Sequence, residues 1–321
     1  MTLNIHEINL PYEDCFKYLC LKNCCHQLLY LNHIENPMLY LFIGFTIHVI
    51  KNKADLLIDN DIFTRPFFID SGIIKSEMYS DPEEAIRENL SYIHDGMQII
   101  AIVDVFYLPY RGEYHKHHAK HAVIMTDYNE EQVMILDWYA PYFFYGKICL
   151  KDWLRARNSS NPLDISPFSG RPIKNESCII NIHACESIIN TVEANLNYLL
   201  NCEFENEKNH IDSEIALKIF GKYIQLFSDN ELLMKKIHHN LFLFGRTAMF
   251  CDQYIKKILK YFNLRDIKID LNNLIFVLNK INIYFIKKDY NNILVLFDQL
   301  EMLYKKSLKE IKCLKDELYG N

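Results

Sequence analysis

The chain has 321 residues, of which 50% are hydrophobic and 24% charged, a composition that supports a buried core and excludes a disordered or low-complexity chain. Its 35 Lys and Arg residues against 41 Asp and Glu residues give a net charge of −6, which argues against a general nucleic-acid binder. At roughly 100–200 residues per domain, this length predicts one large domain or two ordinary ones.

The longest apolar run covers residues 37–50 and contains His48. Because it is shorter than the roughly 20 residues that cross a bilayer, we expect a buried helical element and no membrane segment. The first residues lack the charged and apolar regions of a secretory signal. Ten cysteines spread along such a chain favour reduced thiols over a disulfide framework, so we expect a cytoplasmic protein.

Two helices are predicted in the N-terminal part. The first covers residues 14–34, and its start is interrupted around residues 22–25. The second begins at Ser80 or Asp81, either of which is a good N-cap, and runs to about His94.

Three strand candidates follow these helices, each rich in Ile, Val and aromatic residues. They cover residues 99–106, 120–126 and 132–138. Helices first and an antiparallel sheet second predict an α+β domain.

A segment rich in Pro, Ser, Gly and Asn, residues 158–172, precedes a region in which apolar residues recur at helical spacing. We place the domain boundary here, giving domains 1–174 and 175–321. Helices are predicted over residues 187–200, 212–227, 229–244, 252–262, 267–287 and 291–318. The second domain is therefore predicted to be an α-helical bundle.

The last two strand candidates carry a histidine and a carboxylate that a hairpin brings together. With residues 128–130 as the hairpin loop, His121 lies directly opposite Asp137, and their Cβ atoms are about 4.5–5.5 Å apart. A loop longer by one residue moves Asp137 to the opposite face of the sheet from His121. The predicted pair therefore depends on the loop length.

Cys24 and Cys25 lie where the first helix is expected to begin. A helix N-terminus lowers the pKa of a thiol and offers backbone N–H groups to an oxyanion. Cys24 shares a helix face with Leu28 and Leu31, whereas Cys25 has a less regular apolar pattern behind it. We favour Cys24 as a nucleophile and keep Cys25 as the alternative.

A cysteine helix followed by strands with a histidine and then a carboxylate is the chain order of papain-like folds. The order predicts Cys24 as nucleophile, His121 as base and Asp137 as the residue that orients the imidazole. The competing interpretation is structural, because most cysteines in reduced proteins are packing residues.

Several motifs of this region carry a family resemblance. They are residues 104–110, Tyr114, His118, His121 and the segment from Tyr128 to Asp137. They resemble the N-terminal domain of the butirosin biosynthesis protein H family, and residues 37–44 are similar to the apolar segment after that family's cysteine helix. Within the family, the chain is similar to the amide-forming enzymes of nonribosomal polythioamide assembly, such as the closthioamide one.

The resemblance implies a papain-like fold with a variable helical region after it. It also implies an amide-forming acyltransferase that binds no cofactor and receives its acyl group on the phosphopantetheine arm of an acyl or peptidyl carrier protein. The other expected partner is an amine acceptor, with no nucleic acid or membrane involved and the oligomeric state open. The alternative is a papain-like cysteine peptidase or amidohydrolase, in which water is the acceptor.

Papain-like proteases place a Gln before the nucleophile to complete the oxyanion hole. No Gln precedes Cys24, so Asn23 or a second backbone N–H is expected to take that role. Tyr107, Tyr110, Tyr114 and His118 are candidate substrate-binding residues, with core packing as the competing role of the tyrosines.

Two further interpretations concern charge and metal. The histidines of residues 115–121 fit no zinc-ligand spacing, so we predict no metal site.

An acidic carrier protein requires a local positive patch on an enzyme of net charge −6. The basic residues near the predicted site are Arg111, Lys116, Lys120, Lys151, Arg155 and Arg157. We expect Arg155 and Arg157 to act in docking, against the competing role of an ordinary solvated surface.

Overall fold

A computed structural model of the chain describes residues 10–41, 49–51, 56–57, 74–166, 168–181, 187–201, 210–211 and 213–320. These residues divide into two compact units. Unit 1 comprises the described parts of 1–41 and 66–187, and unit 2 comprises those of 42–65 and 188–321. The combination of helices with antiparallel sheet confirms the α+β class.

The helices and strands can be given in chain order. They are α1 (Cys20–Leu31), β1 (Val49–Lys51), β2 (Leu56–Leu57), β3 (Ile74–Glu77), α2 (Pro82–His94), β4 (Gln98–Asp104), β5 (Lys120–Tyr128), β6 (Gln132–Asp137), β7 (Phe144–Cys149), α3 (Leu150–Arg157), β8 (Ser177–Ile180), α4 (Ile188–Asn201), β9 (His210–Ile211), α5 (Ser213–Phe227), α6 (Glu231–Tyr261), α7 (Asn272–Ile286) and α8 (Tyr290–Tyr319). Short 3-10 turns cover 14–16, 37–40 and 105–107.

Unit 1 is built on one six-stranded sheet with the strand order β3-β8-β4-β5-β6-β7. Helices α1, α2 and α3 all contact strands β4 or β5. Alternate residues of β4, such as Ile99, Ala101 and Val103, are fully buried in a core that includes Trp153 of α3. Each fully buried aliphatic side chain contributes about 1.5–3 kcal/mol, so this core fixes the central strands that carry the site.

The first helix differs from the predicted one. Residues 14–16 form a separate 3-10 turn, and α1 begins at Cys20. Tyr18 has a φ of 72°, a left-handed backbone conformation that interrupts helical structure between the two elements. Cys20 is therefore the first residue of α1, whereas Cys24 lies in its second turn and not at the helix start as expected.

The second predicted helix is confirmed as α2. The Asp81 side chain accepts a hydrogen bond from the backbone N–H of Glu83 at 2.9 Å, and Pro82 occupies the first turn. The helix expected over the apolar run 37–50 is not found at its described ends, which are a 3-10 turn and strand β1, while residues 42–48 lie outside the described residues.

The β5–β6 hairpin has a different register from the predicted one. The observed pairs are Ile124–Leu136, Met125–Ile135, Asp127–Met134 and Tyr128–Val133. Near the site the observed register differs from the predicted one by two residues. The predicted direct pairing of His121 with Asp137 is therefore wrong. Because the displacement is even, these two side chains still lie on the same face. Near the turn the register differs from the predicted one by an odd number of residues. The bulge between Met125 and Asp127 adds one unpaired residue to β5, which makes the difference even at the site.

Strand β8 follows the boundary that the sequence suggests but pairs with β3 on one side and β4 on the other. All four of its residues are buried. Unit 1 therefore continues to Ser187, whereas the predicted first domain ends at residue 174.

Unit 2 contains helices α4 to α8 and a three-stranded sheet in the order β2-β1-β9. Two of the predicted helices, 229–244 and 252–262, form the single helix α6. Gly245 lies within that helix, where an added Cβ would be only 3.6 Å from the Leu278 Cβ of α7, so this glycine marks close helix packing and not a helix end. No helix in the described ranges combines the length and apolarity needed to span a bilayer.

Candidate active site

The centre of the site is an ion pair between neighbouring strands. His121, near the start of β5, places its Nε2 3.0 Å from Oδ1 of Asp137, the last residue of β6. Both side chains are buried, with 5% of His121 and 1% of Asp137 exposed. At this burial the attraction between the two groups is screened far less than at a surface.

Two further donors hold the carboxylate of Asp137. Arg111 Nη1 donates to Oδ2 at 3.1 Å, and the Tyr110 hydroxyl donates to the same oxygen at 2.7 Å. Burial alone raises the pKa of Asp137, but His121, Arg111 and Tyr110 outweigh it, so the pKa lies below its ordinary value. Asp137 is therefore an ionised carboxylate at neutral pH.

The protonation of His121 follows from the same neighbours. Burial has the largest single effect and lowers its pKa, but the charge and hydrogen bond of Asp137, together with a hydrogen bond to Cys20, outweigh it, and the pKa of His121 is about 9. Arg111 Nη1, 3.3 Å from His121 Nε2, opposes this rise. Since Nε2 faces Asp137, Nδ1 is the ring nitrogen left to exchange a proton with another group.

That other group is the thiol of Cys20. A hydrogen bond with Cys20 contributes to the raised pKa of His121, and both side chains line one cavity of about 270 Å³. Cys20 is a free cysteine at the first position of α1, where the backbone N–H groups of the first turn have no intrahelical acceptor.

The rest of the cavity wall is aromatic and charged. It includes Lys17, Tyr18, Arg111, Glu113, Lys120, Tyr139 and Phe168. Lys120 is paired with Glu176 at 2.6 Å, and Arg111 with Asp137 and Glu113. The site can therefore bind an uncharged carbonyl group between the thiol and the imidazole while its own charges are largely balanced.

The structure does not bring Cys24 or Cys25 to this cavity. The Cys24 thiol donates to the carbonyl oxygen of Ala122 at 3.4 Å, and Cys25 is completely buried. Burial raises the pKa of both thiols well above the ordinary value, which disfavours the reactive thiolate. The argument from the helix face selected Cys24, whereas the residue that lines the cavity is Cys20, one turn earlier on the same face and at the start of the helix.

Asn23 also has a role other than the expected one. Its amide Nδ2 donates to the carbonyl oxygen of Trp138 at 2.9 Å, and its Oδ1 accepts from Gln27 Nε2 at 3.4 Å. With 1% of the residue exposed, Asn23 connects α1 to the segment after β6 and does not line the cavity. The oxyanion-hole prediction for Asn23 is therefore corrected.

The three tyrosines predicted to bind substrate lie outside the cavity lining. Tyr110 supports Asp137 and stacks on Phe144 with ring centroids 3.9 Å apart. Tyr107 packs against the core of unit 1, and Tyr114 stacks on His115. Tyr107 and Tyr110 thus pack against the core of unit 1, whereas Tyr114 is not among the residues of that core.

His118, the fourth predicted substrate-binding residue, belongs to a second histidine–carboxylate pair. Its Nδ1 lies 2.7 Å from Oδ2 of Asp104, which also accepts a hydrogen bond from Ser159 Oγ at 2.5 Å. The ring stacks on Phe106 and does not line the cavity. Among the described residues, no group of three or more His, Cys, Asp or Glu side chains is arranged to hold a metal ion.

The expected docking residues Arg155 and Arg157 are not equivalent. Arg155 is exposed, but Arg157 is 2% exposed, and its guanidinium donates to one side-chain and three backbone oxygens. These acceptors are the carbonyls of Ile102, Asn175 and Glu176 and the hydroxyl of Ser177. Arg157 connects β4 to β8 and is unavailable for docking, so the prediction for that residue is wrong.

Comparison with known protein families gives one match. Residues 63–138 match the family described as Butirosin biosynthesis protein H, N-terminal. The match confirms the resemblance to this family and does not test the narrower similarity to the closthioamide enzyme. The matched segment contains His121 and Asp137, whereas Cys20 lies outside it. A search of curated proteins finds no matching sequence.

Proposed function

We propose that the protein is a thiol acyltransferase of natural-product biosynthesis that forms amides through an acyl-enzyme on Cys20. The observation that carries the proposal is the placement of Cys20, at the first position of α1, with the His121–Asp137 pair at one cavity. A cysteine helix packed against a sheet that bears the histidine and the carboxylate also supports a papain-like arrangement. The family match supports a biosynthetic role.

In the first half-reaction, the Cys20 thiolate attacks the carbonyl carbon of an acyl thioester carried on the phosphopantetheine arm of a carrier protein. A bond from Cys20 Sγ to carbon forms, and the bond from carbon to the carrier sulfur breaks. His121, protonated at neutral pH because Asp137 raises its pKa, gives its proton to the departing thiolate.

In the second half-reaction, an amine attacks the acyl-enzyme. The neutral imidazole of His121 accepts a proton from the attacking nitrogen as the carbon–nitrogen bond forms, and Cys20 leaves as a thiolate. Asp137 holds the ring and stabilises its cation throughout without taking the proton. The proposal extends to nonribosomal assembly, with a carrier-bound acyl group as donor and an amine as acceptor.

The test is intact-protein mass spectrometry of the full chain mixed with acyl-loaded carrier protein. We expect an adduct of the mass of the acyl group on the wild type and on Cys24→Ala, and none on Cys20→Ala. Cys24→Ala is the matched control because it removes a neighbouring thiol of the same helix face. Peptide mapping then locates the acyl group.

Addition of an amine separates this function from the peptidase alternative. Discharge of the adduct to an amide, faster than to a free acid, is the expected result. Discharge to the acid at a rate independent of amine would instead assign the site to a peptidase or amidohydrolase. An adduct that persists in Cys20→Ala would overturn the assignment of the nucleophile.

A further inference from the structure

An acyl-transfer site needs hydrogen-bond donors for the carbonyl oxygen, which becomes negatively charged when the thiolate attacks. The backbone N–H of Cys20 is one such donor, because the first N–H groups of a helix have no intrahelical acceptor. Asn23, the donor expected from the sequence, is occupied by contacts with Trp138 and Gln27. A second donor therefore has to come from another residue of the cavity.

Tyr139 is placed to be that donor. It follows β6 by two residues, lines the cavity with Cys20 and His121, and presents its ring edge to the imidazole at a centroid distance of 5.2 Å and an angle of 69°. Its hydroxyl oxygen accepts a hydrogen bond from the backbone N–H of Tyr18, two residues before the nucleophile. The hydroxyl is thus fixed at the start of α1, on a ring that contacts the imidazole.

The proton of this hydroxyl is available for a ligand. A tyrosine hydroxyl has one donor and two acceptor positions, and the Tyr18 N–H uses one of the acceptor positions. Among the described residues, no acceptor lies within hydrogen-bond distance of the Tyr139 proton, although only 9% of the residue is exposed. Burial, followed by the neighbouring Cys20, raises the pKa of Tyr139, so the hydroxyl keeps its proton.

We propose that the Tyr139 hydroxyl and the backbone N–H of Cys20 form the oxyanion hole of this site. The inference rests on the proposed acyl transfer and adds a catalytic residue to it. As the Sγ–carbon bond forms, the π electron pair of the carbonyl moves to its oxygen, which accepts hydrogen bonds from both donors. The pair returns when the leaving thiolate departs, and Tyr139 retains its proton throughout.

The test compares two reactions of the same thiol. Acylation by p-nitrophenyl acetate passes through an oxyanion, whereas alkylation by iodoacetamide displaces iodide at a methylene carbon and forms none. For Tyr139→Phe, which keeps the ring beside His121, we expect acylation of Cys20 to fall by about 10²–10³-fold, the typical effect of losing one oxyanion donor. The alkylation rate should stay close to that of the wild type.

Tyr142→Phe is the matched control. Its ring lies under the guanidinium of Arg111 at 4.6 Å but does not line the cavity, so loss of its hydroxyl should change neither rate. An equal fall of both rates in Tyr139→Phe would mean that the hydroxyl only positions the start of α1. Unchanged acylation would exclude Tyr139 as a donor.

Two measurements keep the result interpretable. If Tyr139→Phe does not fold, 3,5-difluorotyrosine at position 139 retains the ring and makes the hydroxyl a stronger donor. This variant should then differ from the wild type in its acylation rate and not in its alkylation rate. An acylation rate equal to that of the wild type would overturn the proposal. Because the ester assay uses no carrier protein and no amine, wild-type acylation by the ester without transfer from a carrier would reject the proposed function and leave the oxyanion hole standing.

Discussion

Unit 1 contains two histidine–carboxylate pairs that look alike when each is considered alone. His121 lies 3.0 Å from Asp137, and His118 lies 2.7 Å from Asp104. Both carboxylates are buried, with 1% of Asp137 and none of Asp104 exposed. The two histidines are three residues apart in the chain, so neither distance nor burial nor position separates a catalytic pair from a structural one.

The surroundings of the carboxylates separate them. Asp104 also accepts hydrogen bonds from the backbone N–H groups of Phe106 and Ala119 and from the Ser159 hydroxyl, so it fixes both ends of the loop between β4 and β5. Its histidine stacks on a phenylalanine at 4.1 Å and does not line the cavity that Cys20 lines.

Asp137 instead accepts side-chain donors, Arg111 and Tyr110, and leaves His121 facing a cavity with Cys20. A histidine–carboxylate pair becomes a candidate for catalysis only where the second ring nitrogen meets a nucleophile beside space for a substrate.

The largest expected effect comes from removing each histidine in turn. His121→Ala should lower the rate of acyl-adduct formation by about 10⁴-fold, because the thiol loses its base and the leaving group loses its acid. His118→Ala should stay within a few-fold of the wild type, since that ring does not line the cavity. Stopped-flow or quenched-flow mass spectrometry of the adduct measures both. A comparable loss in the two variants would show that the pairs share one function.

The next effect comes from the carboxylates. Asp137→Asn should lower the same rate by about 10³-fold while the chain remains folded, because the amide neither stabilises the imidazolium nor fixes the ring. Asp104→Asn should cost about 1–3 kcal/mol of unfolding free energy through the lost charge-assisted hydrogen bonds and leave the rate per folded molecule nearly intact. Urea unfolding and the kinetics of adduct formation, each measured on both variants, give the two unfolding free energies and the two rates. Loss of rate without loss of stability in Asp104→Asn would contradict the structural assignment.

The sequence indicated the carboxylate and the histidine of the site because strand alternation is a strong signal. The predicted register was wrong, yet the face was right, since the observed displacement is two residues. The longer turn alone would have reversed the face, and the bulge between Met125 and Asp127 compensates for it. No local sequence pattern marks that bulge, so the correct face depended on two deviations from the predicted register, the longer turn and the bulge, whose combined shift is even.

The proposed nucleophile, Cys20, was missed for a different reason. Leu19, the N-cap of α1, makes no capping hydrogen bond, and the break before the helix comes from the positive φ of Tyr18, a residue type that rarely adopts it. Without a cap or a glycine, the start of α1 had no signal in the sequence. Tyr139 was missed because its role depends on a hydrogen bond to the backbone of Tyr18, 121 residues away in the chain.

Strand β8 shows a third limit. The three apolar residues Cys178, Ile179 and Ile180 after a linker resemble the beginning of the helical region, and only the pairing with β3 and β4 makes them part of the sheet. The same region contains the buried Arg157, whose sequence context, a short helix with a neighbouring arginine, is typical of an exposed basic patch. In both cases the structure depends on contacts between residues that are far apart in the chain, which the local sequence does not indicate.

The smallest expected effect is a dependence of stability on pH to which the His121–Asp137 pair contributes. The pKa of His121 is about 9 in the folded chain, against about 6.5 for an unfolded histidine. Because the folded state binds the proton more tightly, this contribution is fully present below about pH 6.5 and is lost as the pH rises through 9. We expect the unfolding free energy of unit 1 to fall by about 2–3 kcal/mol over that window.

Urea unfolding at pH 6 and pH 9.5, followed by the fluorescence of Trp138 and Trp153, measures this difference, since the two tryptophans of the chain both lie in unit 1. His121→Gln cannot gain or lose a proton at that position, so it should be less stable than the wild type at pH 6 and should show a smaller fall towards pH 9.5. The remaining fall comes from the buried thiols of Cys24 and Cys25, whose pKa burial raises. His118→Ala, the control from the second pair, should keep the fall, because it leaves His121, Asp137 and Arg111 in place. If His121→Gln loses as much stability as the wild type across the window, the fall comes from other groups, and the imidazolium–carboxylate pair at the proposed catalytic centre would have to be revised.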